Sequence, residues 1–270
     1  MEIDREMVRA RFTEYVKPYD CSDPKIKLKV VHTYKVSAVC EEIAKSLHLP
    51  GQDVDLAWMC AMLHDIGRFE QLRRYNTFVD GQSVDHAKLS CDILFGTNYT
   101  GAYQEKGILR SFLPETEWDD ILFQAIFNHS LFRIDETLDE RTTLFCQMLR
   151  DADKVDIFRV NIETPLEDIY NVTSEELYHS QVSEGVMNSF LEKHATLRAM
   201  RQTPVDYVAA LISFVFELVY PRARELALEQ GYLEQLMNFP SENEITRGQF
   251  AQIREIVEKF LFEKKGEREH

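Results

Sequence analysis

The sequence predicts an all-α protein, and three observations carry that expectation. Apolar residues recur at spacings of three and four, the period of a helix face, rather than two. Ten glycines and eight prolines are few for 270 residues, and no strand or hairpin pattern emerges. Helix-start signals recur along the chain. Asp23-Pro24 reads as an N-cap followed by proline at the first helical position. Thr116-x-x-Asp119, Thr137-x-x-Glu140, Thr173-x-x-Glu176, Thr203-Pro204-x-Asp206 and Ser241-x-x-Glu244 resemble capping boxes, which satisfy backbone N–H groups that a first helical turn leaves bare.

Taken in order, the first helix spans roughly Ile3 to Lys17 and ends near Pro18. The second runs from about Pro24 to Leu47, with the stripe Leu28, His32, Val36, Val39, Ile43 and Leu47. The third is the apolar run Ala57 to Leu63, closed by His64-Asp65-Ile66-Gly67. Gly67 is expected to stop that helix by entering the left-handed region, where a Cβ would clash. Arg68 to Gly81 reads as a loop or a single turn. Ser83 is the expected cap of a helix carrying His86, Leu89 and Ile93. Gly96 to Gly107 reads as a loop. Further helices are expected over about Glu117 to His129 and Asp139 to Val160, the latter with the stripe Leu144, Met148, Asp151, Val155 and Phe158. After a polar, acidic segment from Asn161 to His179, helices resume near Val186, Pro204 and Ile245. The charged tail from Lys264 to His270 is expected to fray. The organisation expected is a helical core over residues 1–160 and a helical extension, 161–270, packed on it.

Composition narrows the function. The formal charge is −15, from 46 acidic and 31 basic residues, which opposes non-specific binding to a nucleic acid duplex. It does not oppose a small phosphorylated substrate, which needs only a few placed cations. Five scattered cysteines with no C-x-x-C pair fit a reducing compartment. The N-terminus reads as charged, without a signal peptide. The longest apolar stretch, Tyr207 to Tyr220, is interrupted by Glu217 and falls short of the ~18–20 residues a bilayer requires. A cytoplasmic protein without a membrane partner is expected, and a homodimer stays open.

The chemistry begins at His64-Asp65. A histidine and a carboxylate stand side by side where a buried helix ends, and a buried carboxylate needs a strong partner. Other polar residues fall on apolar faces: His32, His86, His129 and Asp151. Imidazoles and carboxylates suit Fe, Mn, Zn, Ni or Co, with Mg also conceivable, and helix bundles build metal sites from facing helices. A lone histidine on an apolar face is usually a core residue; this many in one order is a different matter.

The pattern H…HD…H…H…D resembles the HD-domain superfamily. The match covers about Ile26 to Phe158, through Val31-His32-Thr33, Leu63-His64-Asp65-Ile66-Gly67, Asp85-His86-Ala87-x-x-Ser90, Asn128-His129-Ser130 and Asp151-Ala152-Asp153-Lys154. The resemblance implies an HD-domain helical bundle in which His32, His64, Asp65 and Asp151 bind one metal. It implies that His86 and His129 hold a second, bridged by Asp65, so that the site is binuclear. Many members have adjacent histidines where this chain has Asn128-His129-Ser130, which leaves the second site with fewer protein ligands. The activity implied is that of a metal-dependent phosphohydrolase, acting on a nucleotide or another small phosphate ester through a metal-activated water. Beyond Asp65, the expected catalytic groups are Arg68, to hold phosphate oxygens through its planar fork, and Lys154, to neutralise the leaving group, with Glu70 as a further base. Two other readings share the pattern: a di-iron oxygenase on the same ligands, and a non-enzymatic signalling module. All of this requires Asp151 to reach His32 and His64.

Overall fold

A computed structural model of the chain describes residues 3–96, 107–165 and 172–266. The protein is all-α: among the described residues helices supply the regular structure and no strand occurs. The chain divides into two compact units, residues 1–153 and 154–270. The loop expected over Gly96 to Gly107 lies outside the described residues except at its ends. So do residues 166–171 of the acidic segment and residues 267–270 of the tail.

The first unit contains α1 (Arg5–Val16), α2 (Pro24–Ser46), α3 (Gly51–Leu63), α4 (Gly67–Tyr75), α5 (His86–Phe95), α6 (Leu109–Phe112), α7 (Asp119–Asn128) and the first part of α8 (Glu140–Glu163). α3 is its centre. Every residue from Leu56 to Leu63 is buried, as expected of a helix apolar on all sides. α2 lies along one flank of α3 and α7 along another, and α5 packs on both α4 and α7. α1 and the turn after it are pinned by aromatic side chains: Phe12, Tyr15 and Tyr19 surround the fully buried Phe69 of α4, with ring centroids 5.6–6.1 Å apart. The Tyr15 hydroxyl donates to the Ile66 carbonyl at 3.0 Å, tying α1 to the residue that follows His64-Asp65.

The local chemistry of the helix starts is partly as expected. Asp23 accepts from the Lys25 amide ahead of Pro24, and Thr173 and Glu176 form a reciprocal capping box. Asp206 reaches back to the Thr203 amide at 2.9 Å. Elsewhere the cap falls on a neighbour. Asp85, not Ser83, caps α5 by accepting from the Lys88 amide. Asp139, not Thr137, accepts from the Thr142 amide at the start of α8, and Asn243, not Ser241, accepts from the Thr246 amide in α14. Each of these is a short Asx side chain next to the first helical residue, where its reach is best.

The corner between α3 and α4 departs from expectation. Gly67 does not take a positive φ; the left-handed residue is Asn76, at the end of α4 with φ 54°. The stretch after Arg68, expected as a loop or a single turn, begins as the nine-residue helix α4 and continues into a 3-10 turn over Asp80–Gln82. Gly67 is required for another reason. A Cβ there would lie 2.6 Å from the Ser90 amide nitrogen and 2.8 Å from the His86 carbonyl oxygen, so a side chain would collide with the backbone of α5. The Gly67 amide donates to Ser90 Oγ at 2.9 Å. This close crossing brings the first turn of α5 against the His64-Asp65 corner.

The second unit carries the rest of α8 together with α9 (Ser174–His179), α10 (Glu184–Leu191), α11 (Pro204–Ile212), α12 (Pro221–Glu229), α13 (Tyr232–Met237) and α14 (Glu244–Gly266). α11 and α14 each pack on several of the others. Phe190, Phe216 and Phe260 meet edge to face inside it. No helix among the described residues is long and apolar enough to cross a membrane.

Candidate metal centre

Six side chains, from α2, α5, the end of α7, α8 and the α3–α4 corner, converge in the first unit, and helix ends dictate how several of them point. His64 follows the last residue of α3, and His129 follows the last residue of α7. The last carbonyls of a helix lack intrahelical donors. The His64 Nδ1–H donates to the Ala61 carbonyl at 2.7 Å, and the His129 Nδ1–H to the Ile126 carbonyl at 2.6 Å. Because a carbonyl only accepts, both rings carry their proton on Nδ1 and present a bare Nε2. Arg150 holds the second corner, donating to the carbonyls of Asn128 at 2.9 Å, of Phe132 at 3.2 Å and of Leu131.

Asp65 is the hinge of the arrangement, and its two oxygens face two donor sets. Oδ2 lies 3.6 Å from the Nε2 atoms of both His32 and His64. Oδ1 lies 3.6 Å from His86 Nε2 and 3.8 Å from His129 Nε2. His86 Nε2 and His129 Nε2 are 3.0 Å apart. Asp153 Oδ1 completes the first set, 3.1 Å from His32 Nε2 and 3.8 Å from His64 Nε2.

The carboxylate whose oxygen stands opposite His32 and His64 is therefore Asp153, where Asp151 is expected from the sequence. Among the described residues, the groups whose donor atoms lie within 4.8 Å of one another contain Asp153 and not Asp151. Asp151 is also buried on α8; its Oδ1 accepts from Gln147 at 2.8 Å, and its charge helps burial push the Cys40 thiol up. Two residues apart on a helix means about 200° around its axis, so the two side chains leave α8 in different directions.

The donor set fits a metal. The closest separations within each pocket run from 3.0 to 3.8 Å. Neighbouring ligands of one tetrahedral ion with bonds of about 2.1 Å stand roughly 3.4 Å apart. His64 Nε2 and Asp65 Oδ1 are buried without a hydrogen-bond partner, a costly condition that a bound cation would relieve. Burial holds the His64 imidazole below its usual range and pushes His86 and His129 down to about 4, so all three are neutral at pH 7 and able to donate lone pairs. Burial would raise the Asp65 carboxyl, but Lys29, with His64, Arg68 and His86, holds it well below the carboxylate range. Asp153 is likewise held low, against its burial, by His32, His64 and His129.

Cations enter the site from residues only partly foreseen. Lys29 Nζ, one turn before His32, donates to Asp65 Oδ2 at 2.8 Å and lies 5.4 Å from the centroid of the Phe78 ring. The Arg68 guanidinium lies 5.7 Å from the same centroid. Its Nη1 donates to the Phe78 carbonyl at 2.7 Å, to Gln71 at 2.8 Å and to Asp80 Oδ1 at 3.0 Å, while Nε stands 3.5 Å from Asp65 Oδ1 without a hydrogen-bond partner. Lys154 lies in the second unit with its ammonium 3.2 Å from Glu217. Glu70 is removed from the chemistry, its carboxylate bound by Arg73, Arg74 and the Tyr19 hydroxyl. Lys29 could have been read from its i−3 spacing to His32. Asp153 stands in the D-A-D-K string, whereas nothing in the sequence marks Asp80 or Gln71.

These features define a helical domain with a buried, two-sided histidine–carboxylate cluster. The HD domain family model matches residues 30–157, and that segment is an HD domain. No curated protein and no solved structure matches the chain.

Proposed function

We propose that this HD domain is a phosphohydrolase acting on a nucleotide or another small phosphate ester, with one or two divalent ions of the Fe, Mn, Zn, Ni, Co or Mg group in its cluster. The observation that carries the reading is the two-sided Asp65 carboxylate. His32, His64 and Asp153 would hold an ion with Oδ2, and His86 and His129 would hold another with Oδ1. Such ions, when bound, supply Lewis acidity and lower the pKa of water towards neutrality.

The chain's own residues supply the rest. Two side-chain cations, Lys29 and Arg68, stand against the carboxylates Asp65 and Asp80 at the cluster, and cations so placed suit an anionic ester better than a neutral substrate. Lys29 Nζ and Arg68 Nε are the N–H groups nearest the Asp65 carboxylate and would bind phosphate oxygens there. The ion pair between Lys154 and Glu217 gives no support to a leaving-group role for Lys154.

The test is phosphate release from a panel of nucleotides and phosphomonoesters by chelator-treated protein resupplied with Mn²⁺ or Fe²⁺ under anaerobic conditions. Metal-dependent release is expected. Turnover that requires O₂ and frees no phosphate from any ester would reject this reading in favour of an oxygenase.

A further inference from the structure

We propose that Asp80 is the positioning residue on which the second cation pocket depends: it holds the His86 ring so that Nε2, and not an N–H, faces His129 and Asp65. The inference rests on the reading of the cluster as a cation site and adds to it a residue outside the ligand set.

The three histidines of the corner are not oriented alike. His64 and His129 follow helix C-termini, where free carbonyls of their own helices accept the Nδ1 protons. His86 is the first residue of α5. A helix N-terminus offers N–H groups and no free carbonyl one turn back, so the ring must find its acceptor elsewhere. It finds Asp80, on the 3-10 turn six residues earlier, with Oδ2 2.7 Å from Nδ1. A carboxylate at neutral pH only accepts, so the shared proton belongs to His86 Nδ1 and its Nε2 is bare.

Asp80 cannot easily turn away. Its other oxygen accepts from Arg68 Nη1 at 3.0 Å and from Gln71 Nε2 at 2.9 Å. Gln71 is fully buried, and its amide group is itself fixed by Ser83 Oγ at 2.9 Å, by the Val84 carbonyl at 3.0 Å and by Arg68. Arg68 and Gln71 of α4 thus lock Asp80, and Asp80 locks His86. The consequence is two bare imidazole nitrogens 3.0 Å apart beside an unpartnered carboxylate oxygen. These lone pairs repel one another unless a cation lies among them. Asp80, Asp85 and His86 also stand within reach of a common ion, but the 2.7 Å hydrogen bond leaves no room for one between Asp80 and the ring. The first pocket, by contrast, draws on His32, His64 and Asp153, and none of the hydrogen bonds that fix Asp80 involves those side chains.

The dependence is tested by Mn²⁺ titration of the chelator-stripped full chain, read by calorimetry and by electron paramagnetic resonance. The wild type is expected to bind two ions with an exchange-coupled spectrum. Asp80→Ala is expected to keep the first ion, with the isolated six-line spectrum, and to lose affinity for the second about 10–100-fold, the usual effect of removing a ligand's outer partner. An Asp80→Ala protein that binds two ions as tightly as the wild type overturns the role of Asp80 alone. A wild type that binds none overturns the cation reading with it. Because the variant could fail to fold, ¹⁵N chemical shifts of the metal-free wild type give an independent answer: His86 protonated at Nδ1 is expected, and protonation at Nε2 overturns the proposal.

Discussion

Replacing Gly67 by alanine isolates the crossing on which the centre is assembled. The new methyl carbon would lie 2.6 Å from the Ser90 amide nitrogen and 2.8 Å from the His86 carbonyl oxygen. Both are backbone atoms of the first turns of α5, so no side chain can rotate out of the way. Reaching an ordinary 3.4 Å contact requires α5 to withdraw by roughly 0.8 Å, the difference between 3.4 and 2.6 Å, and such overpacking costs about 1–3 kcal/mol. Alanine's greater helix preference offsets less than ~1 kcal/mol, since Gly67 opens α4 rather than sitting inside it. A net loss of about 1–2 kcal/mol corresponds to a Tm lower by roughly 2–8 °C for a chain of this size. The functional loss should exceed the stability loss, because His86 moves with the turn, and a misplacement near 1 Å can cost about 100-fold in rate. Thermal unfolding by circular dichroism and Mn²⁺ titration measure the two effects. A Gly67→Ala protein with an unchanged Tm and an unchanged second Mn²⁺ affinity would refute the argument that glycine is needed here for close approach.

Three further outcomes are expected. Asp153→Asn should lose the ion of the first pocket, whereas Asp151→Asn should keep metal stoichiometry and lose only stability; elemental analysis distinguishes them, and the reverse pattern would restore Asp151 as a ligand. Lys29→Met should destabilise the metal-free protein by ~2–3 kcal/mol, because Asp65 keeps its buried charge without its ammonium partner, and Mn²⁺ should recover most of that loss; equal denaturation midpoints for the two metal-free proteins would contradict the ion pair's importance. The metal-free protein should also weaken on acidification. Folded His86 and His129 titrate near 4 against 6.5 for the free side chain, so the unfolded state binds more protons across that interval and stability falls as pH drops from about 6.5 towards 4. Asp65 and Asp153, held low when folded, add a further loss only below the ordinary carboxylate range. Urea midpoints of chelated protein at pH 7.5 and 5 that coincide would contradict this.

Much of the centre is legible in the chain because its histidines and carboxylates interrupt helix faces. His32 interrupts the α2 stripe, and His64-Asp65 ends the run from Ala57. Asp151 and Asp153 could not be separated in this way. α8 is buried on several sides, with Met148, Leu149, Ala152, Val155 and Phe158 all buried, so an apolar stripe identifies burial without saying which carboxylate stands opposite His32 and His64. Gly67 shows the same ambiguity: a glycine declares that a Cβ is unwelcome, not whether φ or a neighbouring backbone forbids it. Asp80 and Gln71 acquire their roles only when the turn after α4 folds back on it, which no local spacing encodes. The capping shifts to Asp85, Asp139 and Asn243 are smaller errors of the same kind, in which two eligible side chains compete for one N–H.

α8 runs unbroken from Glu140 to Glu163, while the division between the units falls between Asp153 and Lys154. Any attempt to express the HD segment alone therefore meets a difficulty at its C-terminal edge. Cutting at the division would make Asp153, the carboxylate opposite His32 and His64, the terminal residue of a helix stripped of its following turns, and the last turn of a helix is where fraying begins. A shortened chain that keeps this helix whole must run through to Glu163, half a dozen residues beyond the family match.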